Sequence, residues 1–209
     1  MARASKAVAE QHRIDIERSS SRLFKEYGLH GVTVSQVMAD AGLTHGGFYG
    51  HFASKDELAA IACARSFTES GQRWDKRIAE ANGDGRDARR RLLDPYLTQT
   101  HRDDAGNGCT AAALTGDVAR EPADKPIHAA YVTGVREMVE AWRGTLPNPD
   151  SPEANDTALA QIALLIGTIA IARASRGDPL SDAFIEAARR QLLDPQFDPD
   201  APDPRSHTD

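Results

Sequence analysis

The sequence predicts an all-α protein, and three observations carry the prediction. Alanine is abundant while aromatic residues make up only 6% of the chain, apolar residues recur at helical spacing along its length, and no stretch alternates with the period of a strand. At 209 residues, 40% hydrophobic and 27% charged, the chain is long enough to bury a core, as one domain or as a small module joined to a larger one.

The elements follow in order. In a first helix from about Val8 to Gly28, residues Ile16, Leu23, Phe24 and Tyr27 stand at offsets 0, 7, 8 and 11 and so share one face. Thr33 and Gln36 have the spacing of a capping box, and Val32 and Val37 that of a hydrophobic staple, so a short second helix starts there and stops at Gly42. Thr44 is placed to cap a third short helix whose Phe48 and Phe52, four apart, face inward together. Ser54-Lys55-Asp56-Glu57 is a second capping box and opens a fourth helix. Beyond residue 60 the pattern stays helical, broken at Asn82 to Asp84, Asp103 to Gly108, Glu121 to Pro126, Pro147 to Pro152 and Gly177 to Pro179. Four of the eleven prolines fall at 195, 199, 202 and 204 among aspartates, which predicts a disordered end. The expected organisation is a module of short helices over residues 1–54, a larger helical body over 55–193 and a disordered tail over 194–209.

Charge and composition exclude several classes. The formal charge is -6, yet residues 1 to 60 hold seven Lys/Arg and seven Asp/Glu, so the whole deficit lies behind them. Such a balance argues against a basic nucleic-acid coat protein and leaves a neutral front segment holding four of the seven histidines. Cys63 and Cys109 form no CxxC pair, which fits a reducing interior. Met1 to Lys6 has no apolar core for a signal peptide, and the most apolar stretch, Ala158 to Ala174, is interrupted by Gln161 and Arg173 and short for a bilayer. A cytoplasmic protein without a membrane span is expected.

The chemistry-bearing residues yield little catalysis. No GxSxG elbow, HExxH or paired-carboxylate spacing is present, so no enzyme is expected, with a hydrolase as the rival from a different class. His101, Asp103, Asp104 and Cys109 lack a repeated ligand spacing, so neither metal nor cofactor is expected. Cys109 reads as a small buried residue at a helix start. Arg86, Arg89, Arg90 and Arg91, flanked by Asp84, Asp87 and Asp94, read as a solvated helix face.

Two short capped helices joined by Ala41-Gly42-Leu43 after a longer amphipathic helix have the spacing of a helix-turn-helix, whose second short helix fits a major groove about 12 Å wide. Gly46, Gly47 and Gly50 each cost roughly 1 kcal/mol of helix propensity. The third helix must therefore be held by Phe48 and Phe52, and its bare backbone can approach another surface closely. A glycine-rich loop with an aromatic anchor is the other reading of the same residues.

The run from Thr33-Val34-Ser35-Gln36-Val37 through Ala41-Gly42-Leu43-Thr44-His45-Gly46-Gly47-Phe48-Tyr49-Gly50-His51-Phe52 to Lys55-Asp56-Glu57-Leu58 closely resembles the DNA-binding signature of the TetR family of transcriptional regulators. The resemblance extends back over Phe24 to Gly31. Gly108 to Leu114, and Ile166-Gly167 through Ala172-Arg173 to Pro179-Leu180-Ser181, more loosely resemble regulatory-domain segments of one subgroup. The resemblance implies an all-α homodimer that binds operator DNA through its first three helices and the start of the fourth. The larger helical domain would bind a small molecule, which usually relieves repression. Tyr49, His51 and Lys55 match positions that touch the DNA backbone, each with a donor for phosphate. Thr33 and Ser35 open the second helix, where Thr33 can serve as cap and phosphate donor at once. Thr44, His45, Gly46 and Gly47 stand where the motif reaches base edges. Arg3, Lys6 and Arg13 form either a groove-binding arm or a solubilising end.

In the body, Leu159, Ile162, Ile166, Ile169 and Ala170 recur at offsets 0, 3, 7, 10 and 11. With Ala163 and Gly167 permitting close approach, residues 158–173 and 182–193 are expected to form the dimer seam, unless the stripe packs inside one subunit. Phe67, Trp74, Tyr96, Cys109, Leu114, Tyr131, Met138 and Trp142 are candidate effector lining, bulky or polarizable with few polar tips. No basic cluster accompanies them, which suits an uncharged or cationic, largely apolar effector. A regulator with no small-molecule ligand, whose body only dimerises or binds a protein, is the alternative.

Overall fold

A computed structural model describes residues 6–193 of the chain. Arg3 and the segment from 194 onward lie outside the described residues. Among the described residues the structure is helical throughout, without strands. It runs α1 (Lys6–Tyr27), α2 (Val34–Asp40), a 3-10 helix (His45–Gly50), α3 (Lys55–Ala79), α4 (Gly85–Tyr96), α5 (Gln99–Asp103), α6 (Thr110–Val118), α7 (Pro126–Arg143), α8 (Pro152–Ala174) and α9 (Pro179–Leu193).

Local chemistry sets most boundaries. Gly28 ends α1 with φ +79° and Gly42 ends α2 with φ +71°, the left-handed conformation that a side chain opposes. The Thr33 capping box is complete: Thr33 Oγ1 accepts from Gln36 N at 3.2 Å while Gln36 Oε1 accepts from Thr33 N at 2.8 Å. Val32 and Val37 are both buried, closing the staple. At Ser54 the box is offset: its Oγ accepts from Glu57 N at 3.0 Å, but the Glu57 carboxylate reaches back to Ala53 N at 2.6 Å. Asp84, Cys109 and Ser151 cap α4, α6 and α8.

Three expectations need correction. The third helix is a 3-10 turn rather than an α-helix, and Thr44 occupies its cap position without a side-chain capping bond. Three glycines in six residues remove the propensity for the wider helix, and Phe48 alone of the six is buried. Tyr27, counted with the buried face of α1, is 58% exposed because it is the last residue of the helix and projects past the packed part. Arg89 leaves the solvated face altogether: it is buried and donates to the Thr145 carbonyl. A turn at Leu97–Thr98, separating α4 from the short α5, was not legible in advance.

The chain divides into two compact units. One comprises the residues up to Ser70 together with Asp104–Val135, the other Gly71–Asp103 with the chain from Arg136 onward, so α3 and α7 each contribute to both. In the first unit α1 packs on α2 and α6, and α2 on the 3-10 helix, around Ile16, Phe24, Met38, Phe48, Phe52 and Leu58, all at most 2% exposed. In the second, α8 lies along α9 and against α5. An arginine network fastens that corner. Arg173 donates to the carbonyls of His101 and Arg102, both at 3.1 Å, and Arg102 donates to Ser181 at 3.0 Å and Asp182 at 2.6 Å.

Candidate nucleic-acid interface

The surface begins with its buried anchor. Phe48 is fully buried, with Phe52 at 5.7 Å between ring centroids and the edge of Tyr49 at 5.1 Å. Such aromatic packing fixes the 3-10 helix where helix propensity cannot. Arg13 completes the support: its guanidinium lies 4.5 Å from the Phe52 ring centre, donates to the His51 carbonyl at 2.7 Å and pairs with Glu17 at 3.1 Å. Arg13, one candidate for a basic arm, is therefore part of the packing behind the 3-10 helix, and Lys6 is the first residue of α1.

Outward from that anchor lie the residues named from the sequence. Thr33, Ser35, Thr44, His45, Gly46, Gly47 and Tyr49 are all exposed, Tyr49 to 71%. Ser35 Oγ and His45 Nδ1 are 3.0 Å apart and tie the start of α2 to the start of the 3-10 helix. A Cβ built on Gly46 or Gly50 would meet nothing within 4 Å, and one on Gly47 only the Met38 methyl at 3.6 Å. Among the described residues nothing fills the space beside Gly46 and Gly50, and their surface is bare. His51 is half-buried, its ring 6.4 Å from that of His12.

Lys55 differs in setting. Its ammonium sits 6.0 Å above the Phe24 ring and lines a cleft of about 120 Å³ with Leu29, His30, Asp56, Glu121 and Lys125 among its walls. Burial pulls the Lys55 ammonium below its ordinary value, while neighbouring Asp56 and Glu121 act in the opposite direction. Around the cleft, His30 meets Glu121 at 2.5 Å and Lys125 pairs with Asp56. These pairs join residues 69 or more positions apart, a distance over which spacing in a sequence carries no signal. Another tie spans 88 positions: Asp117 of α6 accepts the Leu29 N–H at 3.0 Å, just past the end of α1.

The candidate effector residues fall into two groups. In the first unit, Tyr131 stands edge-on to Phe67 at 5.9 Å and its hydroxyl is 2.6 Å from Thr115 Oγ1. Burial raises the Tyr131 phenol above its ordinary range, the Thr115 hydrogen bond acting against that. Cys109 and Leu114 are buried on the neighbouring α6. Cys63, also buried, is pushed up to about 12 by desolvation and stays a thiol. In the second unit, Trp74 and Trp142 lie 6.0 Å apart, the Trp142 indole donates to Gln161 at 2.7 Å, Tyr96 stacks beside His101 at 4.5 Å, and Met138 is half-buried. None of the eight lines the cleft beside Lys55. Of the residues weighed as metal ligands, Asp103 pairs with Arg102 at 2.7 Å, His101 Nδ1 is 2.7 Å from the Tyr96 carbonyl, and Asp104 accepts from Asn107 N at 3.2 Å. Cys109 Sγ accepts the Ala112 N–H at 3.5 Å.

The expected dimer stripe splits into two. Ile162 and Ile169 are buried within the chain, together with Ala158, Leu165 and Ala172. Leu159 is 49% and Ile171 45% exposed, and on the same side Ala163 is exposed and Ile166, Gly167 and Ala170 are half-covered. The helix is thus apolar around its circumference but packed on one side only. At 23 residues, with a mean hydropathy of 1.7 over its most apolar window, α8 is also long and apolar enough by composition to cross a membrane.

Comparison with known proteins agrees with this geometry. Residues 18–61 match the family model described as bacterial regulatory proteins, tetR family. The fold is similar to that of E. coli NemR in its reduced form, at 22% identity and TM-score 0.69, covering 86% of this chain and 95% of that one. It is also similar to a TetR transcriptional regulator from Legionella pneumophila, at 17% identity and TM-score 0.72, covering 92% and 97%. A third similar fold is FadR, a transcriptional regulator from Bacillus subtilis in complex with stearoyl-CoA, at 14% identity and TM-score 0.59, covering 87% and 97%. No curated protein matches the chain.

Proposed function

We propose that the chain, whose residues 18–61 match the tetR family of bacterial regulatory proteins, is a homodimeric, cytoplasmic transcriptional repressor released from operator DNA by a small, largely apolar effector. The observation that carries the DNA-binding part is the exposed strip Thr33, Ser35, Thr44, His45, Gly46, Gly47 and Tyr49, held over a fully buried Phe48. In this reading Tyr49, His51 and Lys55 serve phosphates and the start of the 3-10 helix serves base edges. Residues 1–54 are the DNA-binding domain and 55–193 the regulatory and dimerising one.

Dimerisation uses the outer face of α8. A helix apolar on all sides has to be covered on all sides, and Leu159, Ala163, Ile166, Gly167, Ala170 and Ile171 await a partner. A second copy of α8 and α9 covers that face in a four-helix bundle.

For the effector, the cluster of Phe67, Tyr131, Cys109 and Leu114 is the favoured site, since it mixes aromatic surface with one polar tip. The helix that carries Thr115 toward Tyr131 also carries Asp117 to the end of α1. An effector that displaces α6 therefore bears directly on the reading head, and ligand and DNA weaken each other reciprocally. The FadR structure is in complex with stearoyl-CoA, of which the acyl chain fits an apolar site and the phosphorylated CoA part does not. Screening acyl compounds and hydrophobic drugs for thermal stabilisation, then for release of DNA, tests this. A compound that stabilises at saturation yet leaves DNA affinity unchanged binds both states equally and is not the inducer.

A further inference from the structure

Ser35 and His45 form an exposed hydrogen-bonded pair that joins the start of α2 to the start of the 3-10 helix. Both are exposed, and Ser35 Oγ lies 3.0 Å from His45 Nδ1. A neutral imidazole has one donor and one acceptor nitrogen, and the bond made by one fixes the role of the other. Ser35 lies in the first turn of α2, where the free backbone groups are N–H donors rather than carbonyls. The nearby side-chain acceptor, Gln36 Oε1, already takes Thr33 N at 2.8 Å and Thr33 Oγ1 at 2.9 Å. A Ser35 hydroxyl that donates to Nδ1 leaves the proton of His45 on Nε2.

Both ends of the pair are held. The Thr33–Gln36 capping box fixes the turn carrying Ser35, and buried Phe48 fixes the turn carrying His45, with Gly47 on the Met38 methyl. Gly46, next to His45, adds no side chain that would keep the imidazole away from a groove.

We propose that His45, positioned by Ser35, is a specificity-determining residue that donates Nε2–H to guanine in the major groove of the bound duplex. This rests on the DNA-binding reading above and adds the identity of the base. Guanine presents two adjacent acceptors, O6 and N7, to a single donor. In adenine the N7 acceptor is flanked by the N6 donor, and in thymine O4 is flanked by the methyl group, so a lone N–H is less well served by either.

The test selects bound duplexes from a random pool with the full-length protein and measures the base preference of wild type, His45→Ala, Ser35→Ala and Ser35→Thr. One guanine per half-site is expected, whose replacement by adenine weakens wild-type binding about tenfold, a loss typical of one mismatched base pair. Replacing the same guanine by 7-deazaguanine should weaken it too. His45→Ala should lose preference at that position alone, Ser35→Ala should blunt it, and Ser35→Thr, which keeps the hydroxyl, should restore it. Because both side chains are exposed, all the variants should fold, which circular dichroism verifies. An enriched duplex whose base preferences are the same in wild type and His45→Ala overturns the proposal, and so does a preference for adenine or cytosine there, which would make Nε2 an acceptor. A pool that yields no enriched duplex at all would instead overturn the DNA-binding reading on which the proposal depends.

Discussion

Gly46 has open space where a Cβ would go, and its φ lies outside the left-handed region, so the folded chain tolerates a methyl there. If that bare surface lies against DNA, Gly46→Ala should leave the thermal midpoint no lower and weaken duplex binding by about tenfold, equivalent to ~1.4 kcal/mol. Gly71 in α3 also has nothing within 4 Å of an added Cβ, but it lies inside a 25-residue helix and belongs to the second unit. Gly71→Ala should raise stability by roughly 0.5–1 kcal/mol and leave DNA affinity untouched. Equal DNA affinity for Gly46→Ala and wild type would take Gly46 out of the interface. At Tyr49, the change to phenylalanine removes a neutral hydroxyl donor and should weaken binding for all sequences alike while leaving the dependence of log affinity on log salt unchanged, because no charge is lost. An altered base preference would assign Tyr49 to a base edge instead. At this scale the sequence was most legible where partners are neighbours. Thr33 finds Gln36 three residues on, whereas the burial of Arg89 depends on the Thr145 carbonyl, 56 residues away.

Helix boundaries were equally legible, because caps and breakers act within a turn. The predicted breaks from Asn82 to Pro179 all separate helices. The exception is the third short helix, where the cap and the paired phenylalanines were present but three glycines turned the segment into a 3-10 helix. Contacts between helices were the illegible part. Gly134 of α7 shows why: a Cβ there would lie 2.1 Å from the Phe67 ring, which sits directly against the backbone. Gly134→Ala should accordingly cost about 1–3 kcal/mol, measured by denaturant unfolding, in spite of the better helix propensity of alanine. A stabilised variant would mean that α3 and α7 do not pack this closely. Asp117 makes the corresponding case for α6. Asp117→Ala leaves the Leu29 N–H without its carboxylate and should cost about 1–2 kcal/mol. It should also reduce the effect of any inducer on DNA affinity, and full retention of that effect would show that the signal bypasses α6.

The two faces of α8 raise the question of what the complete assembly is. Its inner face, Ile162, Leu165, Ile169 and Ala172, is satisfied within the chain, and its outer face, centred on Leu159, Ala163 and Ile171, is not. A periodic stripe in a sequence cannot separate these faces when apolar residues surround the whole helix, which is why Ile162 and Ile169 were placed in the seam. Ile171→Asp should yield monomers by sedimentation velocity without unfolding, because the new charge replaces an exposed side chain. A stable dimer would move the seam elsewhere. Two-fold symmetry then dictates the form of the DNA site, since two identical reading heads require two identical half-sites. The most direct measurement is hydroxyl-radical footprinting of the full-length protein on a duplex enriched from a random pool. Two half-sites of inverted sequence should be protected symmetrically, their centres about one helical turn or a whole multiple of it apart; protection of a single half-site, or binding without sequence preference, would contradict the account.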